Sequence, residues 1–240
     1  MAIQNQLLAG LPATALERLT QRFETVPLTR GRALLQVGEP TRHAYFLTAG
    51  LVSLLALTAD GATLELASVG NTGVVGVPII LRSVITAHQA VVQIAGVALR
   101  VRADVLTAEL QENAVLRDAC LRYANQSLAD VAQSSVCHHF HPLSERLCRW
   151  LLNASDCVRD DALDLTHETL GQVLGVHRNA VGAAALELEH ANAIRCARGR
   201  IVIVNRRRLE VSACSCYTAT RDDFTLTPPP TEPRRPVTRR

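Results

Sequence analysis

The apolar residues of this chain change their period once, near Ala103, and that change limits the folds open to it. Before Ala103, short runs rich in Leu, Val and aromatic residues are punctuated by glycine-containing turns. After it, apolar residues recur every three or four positions. The first pattern is that of strands and the second that of helices. Strands followed by helices predict an α+β protein rather than alternating βαβ units. With 240 residues, 48% of them apolar, the chain has material for one large domain or two ordinary ones. No apolar stretch approaches the roughly 18 residues of a membrane helix, and Val74–Leu81 contains Pro78. No basic residue precedes the apolar part of residues 1–15, so no secretory signal is expected and a cytoplasmic protein is.

Residues 12–112 predict a β-roll. A short helix is expected around Leu16–Phe23, then a strand over Tyr45–Thr58 broken by a turn at Ala49-Gly50. Asp60-Gly61 predicts a hairpin, because both residues tolerate positive φ, and Ala62–Ser68 pairs back. Val91–Ile94 and Val97–Val101 flank another expected turn at Ala95-Gly96. Asp104–Gln111 predicts one helix and residues 113–139 a long one. Along the latter, Leu116, Cys120, Ala124, Leu128, Val131 and Ser135 form a narrow stripe, which predicts a seam with a second copy in a homodimer.

Residues 142–217 predict a winged helix-turn-helix. Pro142 suits a first helical turn, and Leu143–Asn153 turns Leu147, Trp150 and Leu151 inward. A polar loop with Asp156, Arg159, Asp160 and Asp161 follows. Thr166 is an expected N-cap for a helix ending at Gly175, and His177–His190 buries Val181, Ala184, Ala185 and Leu188 at helical spacing. Ile194–Asn205 reads as two strands turning at Arg198-Gly199-Arg200, a wing. All 25 basic residues are Arg. Residues 1–140 hold ten Arg and ten acids, residues 141–240 hold 15 Arg and 12 acids, and Arg195–Arg208 holds six Arg and no acid. That asymmetry points to an anionic partner.

On the second helix, the face opposite Val181 and Leu188 presents His177, Arg178, Asn179, Gly182, Ala183 and Leu186. Arg178 can pair with guanine or anchor a phosphate, and Asn179 can contact adenine. Gly182 and Ala183 allow close approach, while Arg195, Arg198 and Arg200, with Thr166, suit the backbone. The alternative is a helical hairpin that binds protein, within a ligand-, metal- or thiol-responsive sensor or scaffold. The tail 225–240, with five of the ten prolines, is expected to be disordered.

The stretch Leu165-Thr166-His167-Glu168-Thr169-Leu170-Gly171-Gln172-Val173-Leu174-Gly175-Val176-His177-Arg178-Asn179-Ala180-Val181-Gly182, with Leu186, Leu188 and Ile194, resembles the helix-turn-helix of the CRP/FNR family of bacterial transcription regulators. The resemblance covers about residues 12–210. It implies a double-stranded β-helix or roll like that of cyclic-nucleotide-binding proteins, a long dimerisation helix and a C-terminal winged helix-turn-helix. It also implies a homodimer on a two-fold site in double-stranded DNA, with RNA polymerase as a partner and no membrane. Arg178 matches the family's DNA-contacting Arg. Asn179 and Ala183 stand where members reading a TGTGA-type site carry Glu and Arg, which leaves the base preference open.

Nucleotide-binding members hold the cyclic phosphate with Gly-Glu and Arg-Ser-Ala elements. The corresponding positions here are Gly73, Val75, Gly76 and Val77, with Val77 in place of the Glu, and His88-Gln89-Ala90. Val131 and Ala132 replace the expected Thr-Ser pair. A buried phosphate without a charge partner would carry an uncompensated desolvation cost, so ordinary cyclic-AMP binding is not expected, and no cofactor is assigned.

An odd seven Cys favours reduced thiols over a disulfide framework. Cys137-His138-His139-Phe140-His141 has metal-ligand residue types, but Pro142 implies that the helix ends there, so no metal is assigned. Cys214-Ser215-Cys216 cannot chelate alone and could pair with Cys196. No Walker loop, Gly-x-Ser-x-Gly or His-Glu-x-x-His motif occurs, so an enzyme is not expected.

Overall fold

The computed structural model describes residues 4–218, so the tail 225–240 lies outside the described residues. Helices α1 (Gln6–Ala9) and α2 (Ala13–Thr20) precede strands β1 (Glu24–Leu28), β2 (Ala33–Leu35), β3 (His43–Leu57) and β4 (Thr63–Val69). After β5 (Val74–Val75), α3 (Val77–Ile80) and β6 (Gln89–Arg102), the chain becomes helical through α4 (Ala103–Glu112), α5 (Ala114–Phe140) and α6 (Leu143–Val158). The C-terminal part holds β7 (Ala162–Leu163), α7 (His167–Leu174), α8 (Arg178–His190), β8 (Ile194–Ala197), β9 (Arg200–Ile203) and α9 (Arg206–Ser212).

The larger sheet runs β1-β6-β3-β4, with β2 on β6 and β5 on β3. The expected turns at Ala49-Gly50 and Ala95-Gly96 are instead bulges inside two continuous strands. β3 and β6 pair antiparallel from His43↔Arg102 to Leu55↔Gln89, with the register shifting between Leu47 and Val52. Here the glycines serve close approach rather than chain reversal: a Cβ on Gly96 would lie 2.1 Å from the Ala49 carbonyl oxygen. Bulges bend a ladder and increase its twist. The pair therefore curls around a core that includes Val26, Leu28, Tyr45, Leu47, Val52 and Val92. The hairpin at Asp60-Gly61 forms as expected, with Gly61 at φ +87°.

Asn113 caps α5 by accepting from the Leu116 amide at 3.0 Å. The expected dimer stripe is corrected by the packing. Leu116, Cys120 and Ala124 are buried against their own subunit, in a core shared with Phe46, Leu106 and α2, whereas Leu128 and Ser135 are exposed and Val131 is half-buried. The physical reason is the helical period. At 3.6 residues per turn, steps of four rotate the stripe, and Leu128 lies about 120° around the helix from Leu116. A different face is exposed: Leu121, Leu128, Ala132 and Val136, with the polar Asn125 among them.

The C-terminal part docks on the roll through α6. Leu51 of β3 belongs to the same core as Leu147, Trp150 and Leu151. Beside it the buried Glu65 carboxylate accepts hydrogen bonds from the Ser53 hydroxyl, the Ser68 hydroxyl at 2.7 Å and the Trp150 indole at 2.9 Å. Burial pushes the Glu65 pKa up, against the pull of those three donors.

A carboxyl whose folded pKa is raised favours the folded state below its unfolded pKa, near 4.5. That contribution fades as pH rises towards the folded pKa. Glu65→Gln is therefore expected to gain stability relative to the parent as pH rises from about 4.5 upward. Urea midpoints of both proteins at several pH values check this, and parallel curves would contradict it.

Candidate nucleic-acid interface

Pro142 is the N-cap of α6 rather than its first helical residue. The helix runs to Val158, five residues beyond the expected Asn153, because Ala154, Cys157 and Val158 continue its packed face. Asp156, expected in a loop, thus lies on the helix. It accepts from Arg206 and from the Tyr217 hydroxyl, the latter at 2.9 Å. That contact corrects the reading of Arg195–Arg208 as a uniform anion-attracting run. Arg206 is turned inward onto Asp156, Ser155, Tyr217 and Glu210, and Arg208 donates to the Ala191 carbonyl at 2.5 Å.

The helix-turn-helix follows from local chemistry. The Thr166 hydroxyl oxygen accepts from the Thr169 amide at 3.1 Å, which satisfies one open donor of α7. Gly175 ends that helix in the left-handed region, at φ +65°. His177 caps α8, its Nδ1 accepting from the Asn179 amide at 3.3 Å. Val181, Ala184, Ala185 and Leu188 are buried, as expected. On the other side Arg178, Asn179, Ala183 and Leu186 are exposed and Gly182 is half-buried beside His167. The side of α8 opposite its buried residues therefore faces outward.

β8 and β9 form the wing, turning through Arg198 and Gly199, and β7, which periodicity missed, adds a third strand to β9. Arg195, Arg198 and Arg200 are exposed. Arg200 pairs with Asp164 at 3.4 Å, while among the described residues no carboxylate pairs with Arg178, Arg195 or Arg198. A groove of ≈590 Å³ between the wing and the start of α7, with Arg178 of α8 at its side, is lined by Thr166, Glu168, Arg178, Arg198 and Arg200, among others. It brings residues from these elements to one concave face.

The candidate ligand-pocket residues, which correspond to the family's nucleotide contacts, lie in the roll. Val75 and Gly76 are buried, Val75 pairs with Tyr45, and Gly73 packs on Tyr123. Val77 opens α3, whose Ile79 and Ile80 join the apolar core. His88 is half-buried, with burial lowering its pKa. Gln89 donates to Gln36 at 2.8 Å, and Ala90 is fully buried.

The thiols are arranged differently from expectation. Cys196 lies on β8, its amide bonded to Glu189, and the partner of Cys214 and Cys216 is Cys137. The Cys137 and Cys214 thiols share a hydrogen bond, with their Sγ atoms 3.5 Å apart. That shared bond, with the Arg149 guanidinium nearby, holds the Cys214 thiol below the usual thiol range and pushes Cys137 above it. The sequence offered each half of this cluster but no sign that the fold would join them.

Comparison with known proteins places two domain models on the chain: a cyclic nucleotide-binding domain over residues 25–113 and a Crp-like helix-turn-helix domain over residues 145–211. A comparison with curated proteins found no match. Among solved structures, a transcriptional regulator of the CRP/FNR family from Eubacterium rectale is 17% identical with a TM-score of 0.68, covering 86% of this chain and 96% of that one. The c-di-GMP-responsive global regulator CLP of Xanthomonas campestris is 17% identical with a TM-score of 0.64, covering 81% and 100%. FixK2 from Bradyrhizobium japonicum is 18% identical with a TM-score of 0.62, covering 80% and 98%. At these identities the likeness is one of fold.

Gly175→Ala places a Cβ in the left-handed region and 2.7 Å from the Leu64 side chain. The expected loss is about 1–2 kcal/mol, read as a lower denaturation midpoint. An unchanged midpoint would contradict the strained-turn reading.

Proposed function

Because the chain belongs to the CRP/FNR family of transcription regulators, with the cyclic nucleotide-binding and Crp-like helix-turn-helix domains in succession, we propose that it binds a two-fold DNA site as a homodimer. The observation that carries this reading is the outward face of α8 with Arg178 at its head and Arg195 and Arg198 beside it, none of the three paired with a carboxylate among the described residues. The major groove is about 12 Å wide and admits one helix. Arg178, at the first position of α8, presents a fork of donors suited to guanine O6 and N7. Asn179 is placed beside it for adenine. Ala183 and Gly182 let the helix approach closely, and Ala183 can meet a thymine methyl. His177 acts first as the helix cap. Arg195, Arg198 and Arg200, with Thr166 across the groove, serve the phosphates and fix the register without specifying bases.

Dimerisation is supported by the exposed, largely apolar face of α5. Leu121, Leu128 and Val136, with Asn125 and Ala132 between them, repeat at three- and four-residue spacing, and Leu128 is 68% exposed. Covering such a face with its twin would remove apolar surface from water and relate the two chains by a two-fold axis. RNA polymerase is the further partner this family membership suggests. Val77 and the apolar packing of residues 73–80 support regulation by something other than ordinary cyclic-AMP binding.

Selection from a random duplex pool is expected to enrich a two-fold motif, and failure to enrich one would count against the proposal. Arg178→Ala should lose that preference. Arg198→Ala should weaken all duplexes alike and reduce the salt slope of binding by about 1. Identical enrichment by Arg178→Ala and the parent would remove its base-reading role. Leu128→Glu should shift the chain from dimer to monomer in sedimentation and abolish tight binding to the two-fold site. A dimer of parental affinity would place the seam elsewhere.

A further inference from the structure

Four side chains that DNA reading leaves unused meet where the long helix gives way to the C-terminal helices. Cys137 lies on the last turn of α5, and His141 caps that helix, its amide bonded to the Cys137 carbonyl at 3.2 Å. Cys214 and Cys216 follow α9, and Cys214 comes from 77 residues along the chain to meet Cys137. The two sulfurs are 3.5 Å apart, and Cys216 Sγ is 3.6 Å from His141 Nδ1. One ligand atom from each of the four residues lies within 4.8 Å of all the others. All three cysteines are buried and the histidine is half-buried.

These spacings fit a single tetrahedral ion. Zinc–sulfur bonds near 2.3 Å and zinc–nitrogen bonds near 2.0–2.1 Å imply sulfur–sulfur edges of about 3.8 Å and sulfur–nitrogen edges of about 3.5 Å. A disulfide would use two of the four groups and leave His141 and Cys216 without a role. An iron–sulfur cluster of two or four irons distributes its protein ligands over several metal atoms and so spreads them more widely than one tetrahedral ion does. The surroundings suit a charged centre as well. Gln133 Nε2 donates to Cys216 Sγ at 2.9 Å. The Arg149 charge acts on Cys137 and Cys214, and that of Arg146 on Cys137. Three thiolates around a divalent ion carry a net single negative charge, which these guanidinium groups offset.

We propose that Cys137, His141, Cys214 and Cys216 bind one divalent metal ion of the zinc class in a closed structural site. Four protein ligands leave no open position for substrate, so the site is not a catalytic centre. The ion enters as the thiol protons leave, with no change of oxidation state. Its place in the fold gives it a mechanical role. It ties the segment after α9 to the end of α5, beside Pro142, and so fixes how α6 and the helix-turn-helix are carried on the long helix.

The test uses the full chain, purified under reductant and without a polyhistidine tag. Elemental mass spectrometry should find one zinc per chain after supply of Zn²⁺ and removal of excess. Cys196→Ser should keep that ion, and the Cys214→Ser, Cys216→Ser double variant should lose it. In case the double variant does not fold, Co²⁺ is titrated into the metal-free parent chain. The spectrum should show thiolate-to-cobalt charge transfer and the intense visible bands of tetrahedral Co²⁺, saturating at one equivalent and bleached by Zn²⁺. The proposal is overturned by a reduced parent chain that takes up no zinc, or by a weak octahedral cobalt spectrum. A folded double variant that retains the ion overturns it too, as do two or more irons per chain with inorganic sulfide.

Discussion

The seating of α6 on the roll governs where everything beyond residue 142 points. Trp150 reaches across the joint to donate to Glu65, and Leu51 of β3 lies in the core beneath the same helix. An indole buries a large apolar area and keeps one donor that must find an acceptor. The acceptor here is a carboxylate with almost no access to water, held by two serine hydroxyls from β3 and β4. Such a group is costly to desolvate and tolerable only with its donors in place. The contact therefore favours one arrangement of the two halves over near alternatives. Thr63, whose hydroxyl donates to the Gln172 carbonyl at 2.9 Å, and Arg30, which donates to Thr169 at 3.0 Å, secure α7 on the same side. With α7 fixed against the roll, α8 turns its polar face outward.

The long helix α5 has two environments along one rod. Its first half is a wall of the roll's outer core, through Leu116, Ala119, Cys120 and Ala124. Farther along, the apolar residues that remain exposed have rotated to another face, and Ser134 and Cys137 become the buried ones. One helix thus supports its own domain, leaves a largely apolar face exposed, and ends at a thiol cluster beside the C-terminal helices. These duties do not collide because they occupy different arcs and different lengths of the rod.

Charge on the C-terminal half is sorted by position rather than spread evenly. Arg206 is consumed by the carboxylates of Asp156 and Glu210, a structural pairing that holds α9 on α6. Arg200 is shared with Asp164, at the edge of the groove. Arg178, Arg195 and Arg198 are left to face solvent around the exposed side of α8. Three of the six arginines between 195 and 208 thus sit on the wing, where phosphates could reach them.

Features with a short-range cause were legible in the residues themselves. Thr166 as a cap, Gly175 as a helix stop, the buried set Val181, Ala184, Ala185 and Leu188, and the Arg198-Gly199 turn each follow from chemistry within a few positions. So did the hairpin at Asp60-Gly61 and the change from strands to helices. What the sequence left open depended on partners far along the chain. Gly50 and Gly96 read as turns because a turn and a bulge use the same residue, and only the paired strand distinguishes them. The stripe on α5 was read as continuous because spacing does not reveal which neighbour comes to cover it. Cys137 and Cys214 carried no mutual signal, since proximity across 77 residues is a property of the packed domains. Local hydrogen-bonding and backbone preferences, acting over a turn or two, wrote the helix-turn-helix into the chain, while long-range burial decided the bulges, the two faces of α5, the Glu65 joint and the meeting of the thiols.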